Sequence, residues 1–215
     1  MFIKHLVCKT THRTRFAEGQ AAWRQLSEVP GFIGRLGGWS VSNDHEAVIL
    51  SLWQDEDTYL AFMTGQHDGL YADSGHAAVM GSVQTECYRQ VMTIPGRDSD
   101  LDALVSRLVA GDGESGTYMR MVESTLHPEA CDRFQEAQHE LWNPALASSG
   151  VLTGTFGMSI EDATRFLTVS VWPSAAVHDV YNRTVVPQLM READVIGNCR
   201  AITGRLVTVE PFWSV

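Results

Sequence analysis

The sequence predicts an α+β fold in which two ferredoxin-like (βαββαβ) repeats pack as an internal pseudo-dimeric α+β barrel. Strand-like and helix-like patterns follow one another in that order twice along the 215 residues. The chain also matches itself at an offset of 119 residues, where Gly31 aligns with Gly150 and Trp53 aligns with Trp172. A ferredoxin-like unit covers only one face of its sheet with helices, so we expect the two copies to cover each other's second face.

Repeat 1 is predicted to span residues 1–94 and to begin with a strand over 2–9, which alternates and carries Ile and Val. A helix over 15–29 follows, because its apolar residues recur at helical spacing and Pro30-Gly31 stops it.

The second part of repeat 1 contains two strands, over 32–40 and 47–53, on either side of a polar turn. Asp55 then caps a helix that continues towards residue 70. Its apolar stripe consists of Tyr59, Phe62 and Met63. The last strand is predicted over 82–92.

Repeat 2 is predicted over 117–215 with its elements in the same order. The strands are expected over 117–126, 151–159, 165–172 and 200–210, and the helices over 128–146 and 174–192. Residues 95–116 are interpreted as a linker with one short helix, which Ser99 caps. The apolar residues of that helix are Leu101, Leu104, Val105 and Leu108.

The composition disfavours several classes of function. Sixteen basic and 26 acidic residues give a net charge of −10, which argues against a nucleic-acid or anionic-lipid partner. No apolar run approaches the ~18 residues that cross a bilayer, and charges interrupt the N-terminus too early for a signal peptide. The cysteines lie far apart, which indicates reduced thiols. We therefore expect a soluble cytoplasmic protein without nucleic-acid or membrane partners.

No phosphate-binding or hydrolase motif occurs in the sequence. Gly34 and Gly37-Gly38 lie in and after a strand rather than between a strand and a helix. They predict a bulge in the strand, not a loop that binds phosphate.

The order of the elements and several short motifs resemble the dimeric α+β barrel superfamily. One motif is a strand that ends in Trp and runs into an acidic helix start, Ser51-Leu52-Trp53-Gln54-Asp55-Glu56-Asp57. Phe62 and His67, nine and fourteen residues after Trp53, are similar to the antibiotic-biosynthesis-monooxygenase-like domains. Phe2-Ile3-Lys4 and Gly37-Gly38-Trp39 are similar to a YdbC-like bacterial family. The superfamily includes cofactor-free oxygenases, haem-degrading enzymes and isomerases, so the resemblance implies the fold more strongly than the function.

The resemblance implies a cofactor-independent monooxygenase that uses O₂ to oxidise an electron-rich aromatic or polyketide-like small molecule. Its substrate is expected in an apolar cavity lined by Trp39, Trp53 and Phe62, with Tyr71 and His76 as further binding residues. No metal, flavin or nicotinamide is expected to take part.

The expected catalytic residues are a base and a cation. His67 is expected to remove a phenolic proton, because an imidazole titrates near neutral pH. Lys4 or Arg35 is expected to stabilise the negative charge that develops on the substrate.

Each of these residues also has a purely structural interpretation. A large aromatic at a strand end, as at Trp53 and Trp172, is typical of packing between sheet and helix. A histidine near a helix end is often solvated. Lys4 aligns with Arg120 in repeat 2, and both are also explained as side chains that snorkel at a sheet edge.

The two repeats differ at the expected base, because His67-Asp68 aligns with Val186-Pro187. Any chemistry is therefore expected in repeat 1 alone, with the more open cavity there. Pro187 is expected to disturb the matching helix of repeat 2.

His76 lies nine residues beyond His67, and an unbroken helix turns by about 900° over that distance. The two rings would then face opposite ways unless Gly69 or Ser74-Gly75 broke the helix, so a metal site at this pair is not expected. The haem-degrading relatives ligate haem at the position of Ala72, and the absence of a histidine there counts against haem breakdown.

Two alternatives to a monooxygenase stay open. One is haem binding with or without degradation, and the other is a non-catalytic small-molecule or stress-responsive binding module. The chain is expected to act as a monomer with an internal pseudo-dimer or as a homodimer.

Overall fold

A computed structural model describes residues 1–113 and 116–215. Residues 114 and 115, at the end of the predicted linker, lie outside the described residues. The strands are Phe2–Thr10 (β1), Phe32–Ser40 (β2), Glu46–Trp53 (β3), Met80–Ile94 (β4), Tyr118–Leu126 (β5), Thr153–Ser159 (β6), Arg165–Trp172 (β7) and Cys199–Val209 (β8). The α-helices are Arg13–Gly19 (α1), Glu56–Gly65 (α2), His67–Ser74 (α3), Leu101–Val109 (α4), Cys131–Ala137 (α5), Asn143–Ser148 (α6), Ala175–Thr184 (α7), Val186–Glu192 (α8) and Val195–Asn198 (α9).

The strands of repeat 1 hydrogen-bond in the antiparallel order β4-β1-β3-β2, which is that of a ferredoxin-like unit. Lys4 of β1 and Arg35 of β2 are both in register with Ser51 of the central strand β3. The register of β2 shifts between Phe32 and Gly34, which agrees with the irregularity predicted at Gly34, whereas Gly37 and Gly38 pair in regular register.

Repeat 2 has the same order, β8-β5-β7-β6. Arg120 of β5 and Gly154 of β6 are both in register with Ser170 of β7, so they take the places of Lys4 and Arg35. Gly31 and Gly150, which the offset of 119 residues aligns, both have a positive φ of 79° and 85°. Positive φ is a conformation that favours glycine, so the aligned pair occupies equivalent turns.

The complete hydrogen-bonded order, β1-β3-β2-β8-β5-β7-β6-β4, closes into a barrel. The predicted α+β barrel of two ferredoxin-like repeats is therefore confirmed. One compact unit of the chain contains residues 1–89, 105–113 and 207–215, and the other contains residues 90–104 and the described part of 114–206. The origin of the two repeats in a duplication, with boundaries at residues 94 and 117, stays a prediction.

The first predicted helix is only partly α-helical. α1 ends at Gly19, and Gln20–Glu28 continues as a 3₁₀ helix. A Cβ at residue 19 would lie 2.3 Å from the carbonyl oxygen of Ser74 and 2.6 Å from Nε2 of His76. Glycine therefore lets the end of α1 approach the end of α3, and it also weakens the helix at this point.

The longer predicted helices are interrupted in both repeats. The helix that Asp55 caps with a capping box stops at Gly65, and α3 restarts at His67. The predicted helix 174–192 likewise divides into α7 and α8, and 128–146 contains a π-helical turn at Gln138–Trp142.

Two smaller predictions about the helices are wrong. Pro187 lies in the first turn of α8, where a missing N–H is harmless, and repeat 1 breaks at the same place without a proline. Pro187 therefore does not disturb the helix. The N-terminus of α4 is capped by Asp100 instead of Ser99, since Asp100 Oδ1 accepts a hydrogen bond from the Ala103 N–H at 2.9 Å.

Among the helices in the described part of the chain, none is both long enough and apolar enough to traverse a lipid bilayer.

The approach of β8 to β2 depends on Gly38, where a Cβ would lie only 1.9 Å from the carbonyl oxygen of Thr208. We expect Gly38→Ala to lower the free energy of unfolding in urea by about 1–3 kcal/mol, because the backbone must move to admit the methyl group. Gly69→Ala is the control, since among the described residues no atom outside its own helix lies within 4 Å of a Cβ added there. It should leave stability unchanged or raise it by up to about 1 kcal/mol. Equal losses in the two variants would contradict this packing.

Candidate functional site

Repeat 1 contains a cavity of about 370 Å³ between its sheet and the helical segments that cover it, here called the repeat-1 cavity. This volume lies in the range typical of small-molecule sites. No Asp or Glu occurs among the described residues that line it. Its wall carries the rings of Phe16, Trp23, Trp53, Tyr59, Phe62, His67, Tyr71 and His76.

The sheet side of the repeat-1 cavity carries Lys4, Ser51 and Arg35 in one row across three strands. Residues in register on neighbouring strands point to the same face of a sheet, so the three polar side chains enter the cavity together. Nζ of Lys4 lies 3.8 Å from Sδ of Met63 and 5.4 Å from the centre of the Tyr59 ring. Burial lowers the pKa of Lys4; Cys87 acts against this shift, and the nearby Arg35 charge acts with it.

Arg35 is 4% exposed, and one of its terminal nitrogens, Nη2, donates a hydrogen bond to Oε1 of Gln20 at 2.5 Å. The guanidinium also lies 5.5 Å from the centre of the Trp23 ring. Burial lowers the pKa of Arg35 to about 9, which still leaves it charged at neutral pH. Its other terminal nitrogen, Nη1, is buried and has no hydrogen-bond partner in the described chain.

His76 is buried and neutral. The Nε1–H of Trp23 donates to His76 Nδ1 at 3.3 Å, so Nδ1 carries no proton and the ring proton is on Nε2. Nε2 then donates to the carbonyl oxygen of Phe16 at 3.0 Å. Burial lowers the pKa of His76, and the charge of Arg35 acts in the same direction.

His67 lies at the start of α3, and its side chain is 21% exposed. Its Nδ1 is 3.0 Å from Oδ1 of Asp68, whose side chain is almost fully exposed. The His67 ring stacks on Tyr71 at 6.0 Å and lies 5.8 Å from the rings of Trp23 and Phe62. His67 therefore connects the aromatic wall to solvent.

The two expected histidines line the same cavity, because α3 ends at Ser74 and Gly75 follows with a φ of 63°. This is one of the two helix breaks that the sequence left open. Trp23 lies near both, with ring centres 5.8 Å from His67 and 6.3 Å from His76. No group of three or more His, Cys, Asp or Glu side chains suited to a metal ion occurs among the described residues.

Trp53 packs in the core and also lines the repeat-1 cavity. It is 1% exposed and stacks on Phe62 with ring centres 5.0 Å apart. Its Nε1 has no hydrogen-bond partner in the described chain, whereas Nε1 of the aligned Trp172 donates to Ser170 Oγ at 3.0 Å. The indole N–H therefore has a protein acceptor in repeat 2 but none in the described part of repeat 1.

Trp39, expected in the cavity wall, is not among the lining residues. It follows Arg35 by four residues on the same face of β2, which moves it about 13 Å along the strand. There it packs against Phe16 and Trp213, with ring centres 5.8 Å and 5.1 Å away. Trp39 is thus a core residue of the adjoining cluster.

Trp23, Gln20 and Ser51 contribute to the site but were not singled out from the sequence. A signal for Trp23 existed, because the offset of 119 residues aligns it with Trp142. Gln20 had no such signal, since its role follows from two long-range contacts, with Arg35 and with His76 Nε2 at 3.2 Å.

Repeat 2 contains the equivalent cavity in a much smaller form, about 50 Å³. Aligned residues line it, among them Trp142 for Trp23 and Arg120 for Lys4. Val195 takes the place of His76. The larger cavity and both histidines therefore occur in repeat 1, which agrees with the expected asymmetry.

Comparisons with known proteins agree with this architecture. A family model described as Domain of unknown function (DUF4937) matches residues 2–88, the part of the chain that forms the repeat-1 cavity. The uncharacterized protein YdbC of Bacillus subtilis (strain 168) is 33% identical over 94 residues, which are 42% of this chain and 79% of YdbC. The chain belongs to the YdbC family.

Solved structures resemble the whole of this YdbC-family chain. A proposed monooxygenase from Fusobacterium nucleatum has a TM-score of 0.73 at 9% identity, covering 97% of this chain and 91% of its own. Another, from Lactobacillus acidophilus NCFM, has a TM-score of 0.69 at 12% identity, with coverages of 97% and 93%. An anthrone oxidase-like protein has a TM-score of 0.66 at 11% identity, with coverages of 97% and 91%. At such low identity these structures establish the fold.

The lowered pKa of His76 makes stability depend on pH. The native state keeps His76 neutral, whereas in the unfolded state the ring takes up a proton below its ordinary pKa of 6.5. The free energy of unfolding should therefore fall as pH decreases from 7 to 5. We expect His76→Gln to reduce this slope by up to about 1.4 kcal/mol per pH unit in urea titrations. His178, whose pKa is also lowered by burial, should supply a remaining slope of the same sign.

His45→Gln is the control for this measurement, because the His45 side chain is 60% exposed. It should leave the slope unchanged. An unchanged slope in His76→Gln would show that His76 protonates equally in both states.

Proposed function

We propose that the repeat-1 cavity binds a planar aromatic small molecule with an acidic oxygen, a phenol or enol, and that the protein oxygenates it with O₂ as a cofactor-independent monooxygenase. The observation that carries this proposal is Arg35, a buried cation with an unpartnered Nη1 in an aromatic cavity. A charge without a carboxylate partner in apolar surroundings favours an anion beside it.

The aromatic wall supports a flat substrate. The wall offers aromatic rings for contact with a flat ligand, from Trp23, Trp53, Phe62 and Tyr71. The row of Lys4, Ser51 and Arg35 offers hydrogen-bond donors on the sheet side. A phenolate or enolate oxygen directed at this row meets donors and no lining carboxylate.

His67 is the proposed base. Its ring lies in the cavity wall, and its Nδ1 lies within hydrogen-bond distance of Asp68 Oδ1. This contact leaves Nε2 for the substrate. The exposure of His67 and Asp68 provides a route by which the abstracted proton leaves to solvent. His76 is not suited to this role, because both of its ring nitrogens are engaged.

The proposed reaction needs no external reductant. Deprotonation gives an electron-rich carbanion, which donates electrons to O₂ and forms a carbon–oxygen bond to give a peroxide. Loss of water from the peroxide leaves a carbonyl group, so one oxygen atom enters the product and the other leaves as water. Arg35 stabilises the anion at the start, and the donors of Lys4 and Ser51 stabilise negative oxygen that develops later.

The names of the structural neighbours support an oxygenase in general terms. Two of the similar folds are proposed monooxygenases, and a third is an anthrone oxidase-like protein. They do not identify a substrate for this chain, because sequence identities of 9–12% reflect a shared fold.

The residues present fit haem poorly, because the resemblance places the haem ligand at residue 72. Ala72 has no ligating atom there, and His76 has no uncommitted ring nitrogen. Haem binding would therefore depend on His67. A haemin titration separates this function, because a Soret band that disappears in His67→Ala would support haem binding in place of the proposed chemistry.

The proposed base is tested by O₂ consumption with a panel of hydroxynaphthalenes and cyclic β-diketones. We expect His67→Ala to retain fold and substrate binding but to lose at least about a hundredfold in rate, as is typical for a general base. Its matched control is Val186→Ala at the aligned position of repeat 2. This variant should retain activity and lose roughly 1 kcal/mol of stability through reduced burial.

The reverse pattern in these two variants would overturn the assignment of the chemistry to repeat 1. Tight binding of panel compounds without any O₂ consumption would favour a non-catalytic binding module.

A further inference from the structure

The chain contains only two lysines, Lys4 and Lys9, beside fourteen arginines. Both lysines lie on β1, but Lys9 is exposed whereas Lys4 enters the repeat-1 cavity. The aligned position in repeat 2 is Arg120, and its register with Ser170 matches that of Lys4 with Ser51. A cation at this place therefore does not itself require lysine. What lysine provides and arginine does not is an amine that can lose its proton and act as a nucleophile.

The surroundings of Lys4 favour the neutral amine. Its contacts are the Met63 thioether and the face of Tyr59, and no carboxylate lines the cavity in the described chain. The groups that face it from neighbouring elements are Arg35 on β2, Cys8 on β1, Cys87 on β4 and Tyr59 on α2. Burial of Lys4 is the largest influence and lowers its pKa; Arg35 acts in the same direction, whereas Cys87 and Cys8 act against it. Cys8 and Tyr59 are uncharged at neutral pH, since burial raises the pKa of Cys8 to about 12 and raises the pKa of Tyr59 as well. A lysine desolvated beside another cation is a known way to prepare an amine nucleophile.

We propose that Lys4 forms a Schiff base with an aromatic aldehyde or ketone bound in the repeat-1 cavity. The nitrogen lone pair attacks the carbonyl carbon, a C–N bond forms, and the carbonyl oxygen takes up a proton to give a carbinolamine. Loss of the oxygen as water then leaves the C=N bond. The atoms balance without an oxidant or reductant, because the carbonyl oxygen departs with two protons that come from the amine and the medium.

Arg35 complements this step. Its unpartnered Nη1–H is a donor for the oxygen that becomes negative when the amine attacks. The aromatic wall holds the carbonyl compound by its ring, as it holds the substrate in the proposed oxygenation. The Schiff base does not depend on that oxygenation, because it uses neither O₂ nor His67.

Reductive trapping tests the proposal in the unmodified protein. The protein is incubated at pH 7 with naphthaldehyde and sodium cyanoborohydride, which reduces the C=N bond to a stable amine, and the modified residues are found by peptide mass spectrometry. We expect Lys4 to be labelled at least about ten times faster than Lys9, since each unit by which the pKa is lowered raises the neutral fraction about tenfold. Burial without reactivity would give the opposite order, because the exposed Lys9 is the more accessible amine.

Three variants complete the test. Lys9→Arg should retain the fast labelling, and Lys4→Arg should abolish it. Arg120→Lys places an amine at the aligned position beside the much smaller cavity and should not create fast labelling. Equal rates at the two lysines, or fast labelling that survives Lys4→Arg, would overturn the proposal. Failure of the oxygenation would appear only in O₂ consumption, so the two outcomes are distinguishable.

Discussion

Arg35 is a cation that is buried beside a largely apolar cavity, and the other groups of the site are arranged around its charge. Removing such a charge from water costs of the order of several kcal/mol unless other groups stabilise it. Gln20 accepts one of its hydrogen bonds, and Trp23 contributes a ring that faces the guanidinium. Gln20 and Trp23 each contact His76 as well, so the position of the cation and the neutral state of the histidine are coupled. The remaining N–H of Arg35 is the part of this arrangement that a ligand can complete.

The two repeats share one fold but differ in the side chains that line their cavities. Repeat 2 keeps the cavity positions but has Gly154 where repeat 1 has Arg35, and it satisfies the Nε1–H of Trp172 within the protein. Both histidine positions hold valine there. A site that leaves buried donors unsatisfied costs stability. At its cavity, repeat 1 carries two unsatisfied donors, Arg35 Nη1 and Trp53 Nε1, that repeat 2 lacks at the aligned positions.

The sequence predicts the strands well, because alternation and the offset of 119 residues are local or regular signals. Lys4 and Arg120 were also aligned correctly, although they lie 116 residues apart and the offset of 119 residues does not pair them. The helices were less predictable, since the breaks at Gln66 and Val185 and the 3₁₀ segment depend on packing rather than on periodicity. Trp39 was misplaced because a period of two gives the face of a strand but not the position along it that a cavity occupies. The approach of His76 to the cavity required the glycine break at residue 75, a possibility that the sequence raised without deciding it.

In the proposed site, the unpartnered donors of repeat 1 receive an oxygen anion while the aromatic wall holds the ring that carries it. A crystal structure of the protein soaked with a bromonaphthol tests this arrangement, because the anomalous signal of bromine fixes both the site and the orientation of the ligand. We expect one ligand in the repeat-1 cavity, with its oxygen within hydrogen-bond distance of Arg35 Nη1 and its ring against the aromatic wall. A ligand in repeat 2, or one whose bromine points at Arg35 and whose oxygen points to solvent, would overturn the proposed site.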